Sequence, residues 1–184
     1  MNRADSITCT GQIVNLLDFR PEHVSLQVIA HHLARINRFN GGAEWSVAQH
    51  CLLGQSLTDD ALEKVYFMLH DAHEAYAGDI PAPVKQALPA GAVMQIDALN
   101  DRIQCAILEH FNVPLPTQAM LARVKELDER VLELELDGLF GKGRIWRMAS
   151  PIAGDAGRVE KTFMGLFRSL TERHADRIAA SGAG

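Results

Sequence analysis

The chain has 184 residues, 47% of them hydrophobic and 22% charged, which is typical of a single soluble globular domain over residues 1–184. The net charge of −5 and the lack of a basic tract argue against duplex nucleic acid as a partner, because backbone binding needs a clustered positive surface. Three dispersed cysteines, no secretory signal and no apolar run of about 18 residues predict a cytoplasmic protein that does not enter a membrane.

Apolar residues recur at helical spacing along most of the chain, which predicts an all-α, compact helical bundle. In chain order, the predicted helices cover residues 22–38, 47–57, 61–77, about 93–111, about 117–140 and 155–178. Ser46 and Asp60 are predicted to cap the second and third helices, and Gly78 is predicted to end the third. Asn40-Gly41-Gly42 is expected to break the first.

Other segments are predicted to be irregular. Residues 80–91, IPAPVKQALPAG, are expected to form a proline-punctuated loop or a broken turn, residues 141–154 an irregular segment, and residues 179–184 a disordered tail. No stretch alternates apolar and polar residues in the manner of a strand. The predicted inward positions of the fifth helix are Leu121, Val124, Leu127, Val131, Leu134 and Leu139.

Four polar side chains stand within helical segments otherwise rich in apolar residues: His50, the adjacent pair His70-Asp71, and Asp128. An unpaired buried carboxylate costs on the order of several kcal/mol, so these residues need partners. A divalent cation would satisfy all four, and mixed nitrogen and oxygen ligation suits Mn, Co, Fe, Ni or Zn better than Ca or Cu(I). The alternative is that they are scattered polar residues on solvated helix faces.

Two carboxylates follow the His70-Asp71 pair in the chain. Glu74 lies four residues after His70, on the same helix face, where it could take a proton from a metal-bound water. Asp79, just past the helix end, could hold a substrate hydroxyl or assist proton transfer. Glu74 could equally be a surface residue and Asp79 a turn former. His73 could bind a second metal or be an ordinary exposed histidine.

The ordered set His50…His70-Asp71…Asp128 resembles the H…HD…D signature of the HD-domain phosphohydrolases. HDAHEAYAGDIPAPVK, residues 70–85, and KELDERVLELE, residues 125–135, resemble runs of the branch containing bacterial 5′-deoxynucleotidases. IAHHLARINRFNG…WSVAQH resembles small phage and prophage HD hydrolases, which include dATP triphosphohydrolases. The likeness covers residues 11–135 and implies a helical bundle of the HD-domain type.

The resemblance implies roles for individual residues. The implied metal ligands are His50, His70, Asp71 and Asp128, for Co, Mn, Zn, Fe or Mg. Glu74 would position the attacking water, with Asp79 as the acidic residue of the GD pair. The implied substrate contacts are Arg38 to phosphate or sugar, Phe39 to the base, Asn40 and Gly41 at the base edge, and Lys85 and Lys125 to phosphates. Relatives of this kind are often homo-oligomers, dimers or larger.

The resemblance predicts hydrolysis of deoxynucleotides. Either a dNTP gives deoxynucleoside and triphosphate, or a dNMP gives deoxynucleoside and phosphate, and the residues do not separate the two. Gln49 replaces the Glu that usually precedes the first ligand, and the small residues at 40–41 leave the base preference open. The alternative is a non-catalytic nucleotide-binding or regulatory module of the same fold.

Overall fold

The computed structural model describes residues 3–141 and 154–181, with side chains as far as residue 176. The protein is all-α, as predicted. Its helices are α1 Leu26–Leu33, α2 Val47–Gly54, α3 Ala61–Leu69, α4 Glu74–Ala77, α5 Ala82–Ala87, α6 Ala90–His110, α7 Gln118–Phe140 and α8 Ala156–Ser181. Short 3-10 turns cover Leu16–Asp18, Pro21–His23, Phe39–Gly41 and Gln55–Leu57. Within the described residues, no helix has the length and apolar character needed to cross a bilayer.

The chain divides into two compact units, the first made of Met1–Val47 and Asp71–Leu115. Its one sheet among the described residues is an antiparallel hairpin of β1 Asp5–Ile7 and β2 Ile13–Asn15, with Ser6 opposite Val14. In this unit α1 packs against α4, and α6 packs against the Pro21–His23 turn. Its fully buried side chains include Ile29, Leu33, Trp45, Ile103 and Ile107.

The second unit consists of Ala48–His70 and Pro116–Gly184. Here α3 packs against both α7 and α8. Residues four apart on α8 line its inner face, so Val159, Phe163 and Phe167 are buried. On α7 the buried positions are Leu127, Val131, Glu135 and Gly138. Leu121, predicted to point inward, is instead 46% exposed.

The first helix is shorter than predicted. It begins after Ser25, whose hydroxyl accepts a hydrogen bond from the Val28 N–H at 3.5 Å, and it ends at Leu33. The chain then turns because Asn37 pairs with Ser46 in an isolated antiparallel bridge and the Val47 N–H donates to the Ile36 carbonyl. These tertiary hydrogen bonds outcompete the continued helix that the apolar spacing predicts.

The predicted third helix is interrupted. Asp60 caps it as expected, accepting from the N–H groups of Leu62 and Glu63, and Gly78 ends it with a φ of 83°. Between them α3 stops at Leu69 and α4 starts at Glu74, where N–H groups bond three residues back, as from Glu74 to Asp71 at 3.0 Å. Such a tightened turn within a helix often marks a functional position.

Three further predictions of local structure were wrong or only partly tested. The expected loop at residues 80–91 contains α5, which Pro81 starts because proline suits a helix N-terminus. The hairpin β1–β2 was not predicted, because three-residue strands are too short to show alternation. The last helix runs to Ser181, into the predicted tail. Residues 142–153 of the predicted irregular segment and residues 182–184 of the predicted disordered tail lie outside the described residues.

Candidate metal centre

His50 lies on α2 and its side chain is fully buried. Its Nδ1 atom is 2.9 Å from Oε1 of Glu135, on α7. Because an ionised carboxylate can only accept, Nδ1 carries the hydrogen of this bond. In the neutral form of the ring, the lone pair is therefore on Nε2.

His70 is the residue that ends α3. Its Nδ1 atom is 2.7 Å from the carbonyl oxygen of Phe67, one turn earlier on the same helix. A carbonyl oxygen only accepts, so Nδ1 donates, and in the neutral form of the ring the lone pair is again on Nε2. Local helix geometry thus determines which nitrogen of His70 is available to a ligand.

Asp128 lies on α7, and its carboxylate approaches both rings. Oδ1 is 3.1 Å from Nε2 of His50 and 4.0 Å from Nε2 of His70. The two Nε2 atoms are 3.3 Å apart. These three atoms are called the acceptor cluster below, because each can offer a lone pair to a cation. The Asp128 side chain is 43% exposed, so the cluster is accessible from solvent.

The donor set fits a divalent cation. Metal–ligand distances of about 2.0–2.1 Å place neighbouring ligand atoms of a tetrahedral or octahedral shell about 3 Å apart. Two separations in the acceptor cluster, 3.1 and 3.3 Å, match this spacing, and the third, 4.0 Å, is longer. Asp71 follows His70 directly in the chain, and one ligand atom each of His50, His70 and Asp71 lie within 4.8 Å of one another. This His/His/Asp group could therefore hold a metal ion.

The predicted base-contacting segment is a closed loop in the first unit. Asn37 pairs with Ser46, and the Arg38 N–H donates to the Trp45 carbonyl at 2.8 Å. Within it, Phe39, Asn40 and Gly41 all have positive φ values, of 57°, 55° and 77°. The Arg38 guanidinium carbon lies 5.6 Å from the centre of the Phe39 ring, a cation–π distance. Phe39 is half-buried, and Asn40 and Gly41 are exposed.

Glu74, His73 and Asp79 also belong to the first unit and are half-buried. Glu74 is the first residue of α4, and His73 precedes it. Glu74 lines a cavity of about 460 Å³ together with His31, Arg35 and Gly78. Asp79 follows Gly78, whose N–H donates to the Glu74 carbonyl at 2.8 Å. The roles assigned to these three residues stay predictions.

The two lysines both form ion pairs. Lys85 Nζ is 3.4 Å from Asp97 in the first unit. Lys125 Nζ is 3.7 Å from Glu129, one turn further along α7, and its side chain is 77% exposed. Exposed pairs of this kind contribute little to stability, so both cations are available to a stronger anion such as phosphate. Their contact with substrate stays a prediction.

Glu135 is the site residue that the sequence reasoning did not select. It lies on the same face of α7 as the buried Leu127, Val131 and Gly138, and its side chain is fully buried. A carboxylate within a row of core positions, seven residues after Asp128, is the signal that could have identified it. Two helical turns separate the two carboxylates, so they share one face of α7.

No protein-family model matches the chain. An uncharacterized protein of Rhodobacter capsulatus is 33% identical over 152 residues, which cover 77% of the chain and 76% of that protein. The uncharacterized protein YfdR of Escherichia coli K12 is 31% identical over 165 residues, covering 82% of the chain and 86% of YfdR. Because neither name states an activity, the functional argument rests on the site.

Proposed function

We propose that this protein, which belongs to the family of Escherichia coli YfdR and its Rhodobacter capsulatus relative, is a metal-dependent phosphohydrolase of the HD type that acts on deoxynucleotides. The identities exceed 30% over more than three quarters of the chain, so the family membership is plain. The activity is inferred from the residues at the candidate metal centre and from their resemblance to the HD signature.

The acceptor cluster is the observation that carries the proposal. The Nε2 atoms of His50 and His70 lie 3.3 Å apart, and Oδ1 of Asp128 lies 3.1 Å from Nε2 of His50, so three possible ligand atoms converge. Imidazole nitrogen together with carboxylate oxygen is a ligand set that suits divalent transition metals.

Each residue has a proposed task. A cation held by His50, His70, Asp71 and Asp128 would acidify a bound water and neutralise phosphate charge. Glu74 would orient the attacking water and accept its proton, and Asp79 would hold a sugar hydroxyl. These assignments follow the ordered spacing in the chain, in which Glu74 stands four residues after His70.

The Arg38–Gly41 loop supports a nucleotide as substrate. A phenylalanine and an asparagine in the left-handed region are uncommon, and such strained residues cluster at binding sites. The loop presents a guanidinium beside an aromatic ring, which suits phosphate on one side and a flat base on the other. Lys85 and Lys125 would contact additional phosphates of a triphosphate.

The test is product analysis by chromatography. Metal-stripped protein is supplied with Co²⁺, Mn²⁺, Zn²⁺ or Mg²⁺ and given deoxy- and ribonucleoside mono-, di- and triphosphates. Deoxynucleoside with intact triphosphate would identify a triphosphohydrolase, and deoxynucleoside with phosphate from monophosphates would identify a 5′-nucleotidase. Lack of turnover with every metal would contradict the proposal and favour a binding module.

A further inference from the structure

Each ring nitrogen of His50 lies beside a carboxylate of α7. Asp128 Oδ1 lies 3.1 Å from Nε2, and Glu135 Oε1 lies 2.9 Å from Nδ1. The two carboxylates differ in exposure: the Asp128 side chain is 43% exposed, whereas that of Glu135 is fully buried. The Asp128 carboxylate faces solvent, whereas the Glu135 carboxylate is enclosed on the other side of the His50 ring.

Burying a charged side chain at position 135 is energetically unfavourable. Leu127 and Val131 precede it at four-residue spacing on the buried face of α7, so a leucine or valine would be the ordinary choice. Removing a carboxylate from water costs several kcal/mol, on the order of the penalty for a buried ion, and a hydrogen bond to imidazole offsets only part of it. Replacing buried ion pairs with apolar residues is often neutral or stabilising. Stability alone therefore does not account for Glu135.

The geometry accounts for it through the chemistry of metal-bound histidine. A carboxylate that accepts the distal N–H of a histidine fixes the tautomer, holds the ring orientation and raises the basicity of the other nitrogen. We infer that Glu135 is a positioning residue of the metal centre, which presents the Nε2 lone pair of His50 to the cation. This inference rests on the metal site of the proposed function. To that site it adds Glu135, which would make the buried His50 a stronger ligand.

Gln49, which directly precedes His50 in the chain, is 5% exposed and carries no charge. In this chain the buried carboxylate beside His50 comes instead from α7, 85 residues later. The affinity of His50 for a cation is therefore expected to depend on how α7 packs beside it.

Three variants test the inference. Glu135→Gln keeps an oxygen that can accept the Nδ1 hydrogen but removes the charge, and Glu135→Leu removes the acceptor as well. Glu133→Gln makes the same change on the exposed face of α7 and is the matched control. Co²⁺ affinity of the stripped proteins is measured by competition titration, together with the visible absorption of bound Co²⁺ and the unfolding midpoint without metal.

A positioning role predicts that Glu135→Gln weakens Co²⁺ binding by about 10-fold and Glu135→Leu by up to about 100-fold. Glu133→Gln should match the original protein, and the metal-free Glu135→Gln protein should unfold no earlier than the original. Unchanged affinity in both Glu135 variants, while the original binds Co²⁺, would overturn the inference and leave the proposed function intact. A lower unfolding midpoint with unchanged affinity would also overturn it, as a purely structural role. An original protein that binds no Co²⁺ would overturn both proposals.

Discussion

The ring of Phe67 lies directly against the backbone of α2 at Gly54. A Cβ atom placed on Gly54 would clash with Cε1 of Phe67. The same ring is 5.5 Å from the His50 ring and 4.4 Å from the His70 ring, measured between centroids. The close approach at Gly54 therefore sets the position of a side chain that supports both histidines of the candidate metal centre.

Replacing Gly54 with alanine is expected to destabilise the protein by about 1–3 kcal/mol, because the fully buried Phe67 ring has to move within a packed core. Chemical denaturation of the metal-free protein measures the change. Gly165→Ala on α8 is the matched control, since a Cβ there meets nothing within 4 Å. It should stabilise the helix by up to about 1 kcal/mol. Equal effects of the two substitutions would contradict the packing argument.

Asp71→Ala should remove metal binding and activity together. The expected loss of affinity follows from the donor set, which keeps two imidazoles but loses a carboxylate next to His70. Metal content by elemental analysis and turnover of the best substrate are the two measurements. Asp59→Ala, a surface change, serves as the control. Normal turnover by a folded, metal-free Asp71→Ala protein would contradict the mechanism.

Glu74→Gln should retain the metal and lose most of the rate. A general base contributes about 10²- to 10⁴-fold, so kcat should fall by that factor while Co²⁺ affinity stays within a few-fold. Parallel metal titration and steady-state kinetics distinguish this from loss of the site. The control is Glu109→Gln on the exposed part of α6. If metal binding and kcat fell together, Glu74 would be a ligand rather than a base.

Stability should decrease at alkaline pH because of Tyr76. Burial raises the pKa of its phenol to about 12, and its oxygen accepts a hydrogen bond from the Ser25 N–H. Between pH 10 and 12 the unfolded chain releases this proton while the folded protein retains it. The stabilisation is therefore complete below pH 10 and falls by up to about 1.4 kcal/mol per pH unit above it.

Urea denaturation from pH 8 to 11 measures this dependence. Tyr76→Phe should be less stable at neutral pH but should show a shallower decline above pH 10. Burial also raises the pKa of Tyr66, so Tyr66→Phe gives the comparison for the second of the two tyrosines. If Tyr76→Phe left the slope of the free energy of unfolding against pH unchanged, the pKa of this phenol would not be raised in the folded protein.

Asp60→Ala should cost about 1 kcal/mol, because Asp60 accepts hydrogen bonds from the Leu62 and Glu63 N–H groups at 2.9 and 2.8 Å. Asp59→Ala changes the neighbouring exposed carboxylate and should leave the free energy of unfolding within about 0.5 kcal/mol. Thermal or urea unfolding compares the two. A larger loss in Asp59→Ala would contradict the assigned cap.

The sequence by itself determined the helical class and several helix ends. Caps and apolar periodicity act over about four residues, so the pattern around Asp60 and Gly78 already contains the interactions that start and stop that helical segment. The start of α7 was predicted at about residue 117, and Thr117 caps it by accepting from the Met120 N–H. The same local information also singles out His50, His70, Asp71 and Asp128 as polar residues that need partners.

Only the tertiary structure decided which of these side chains meet. His50 reaches His70 across 20 residues and Glu135 across 85, and such separations carry no periodic signal. The early end of α1 and the pairing of Glu135 with His50 depend on hydrogen bonds to other segments of the chain. The physical reason is the range of the forces: helix propensity is local, whereas a ligand set is formed by helices that pack together.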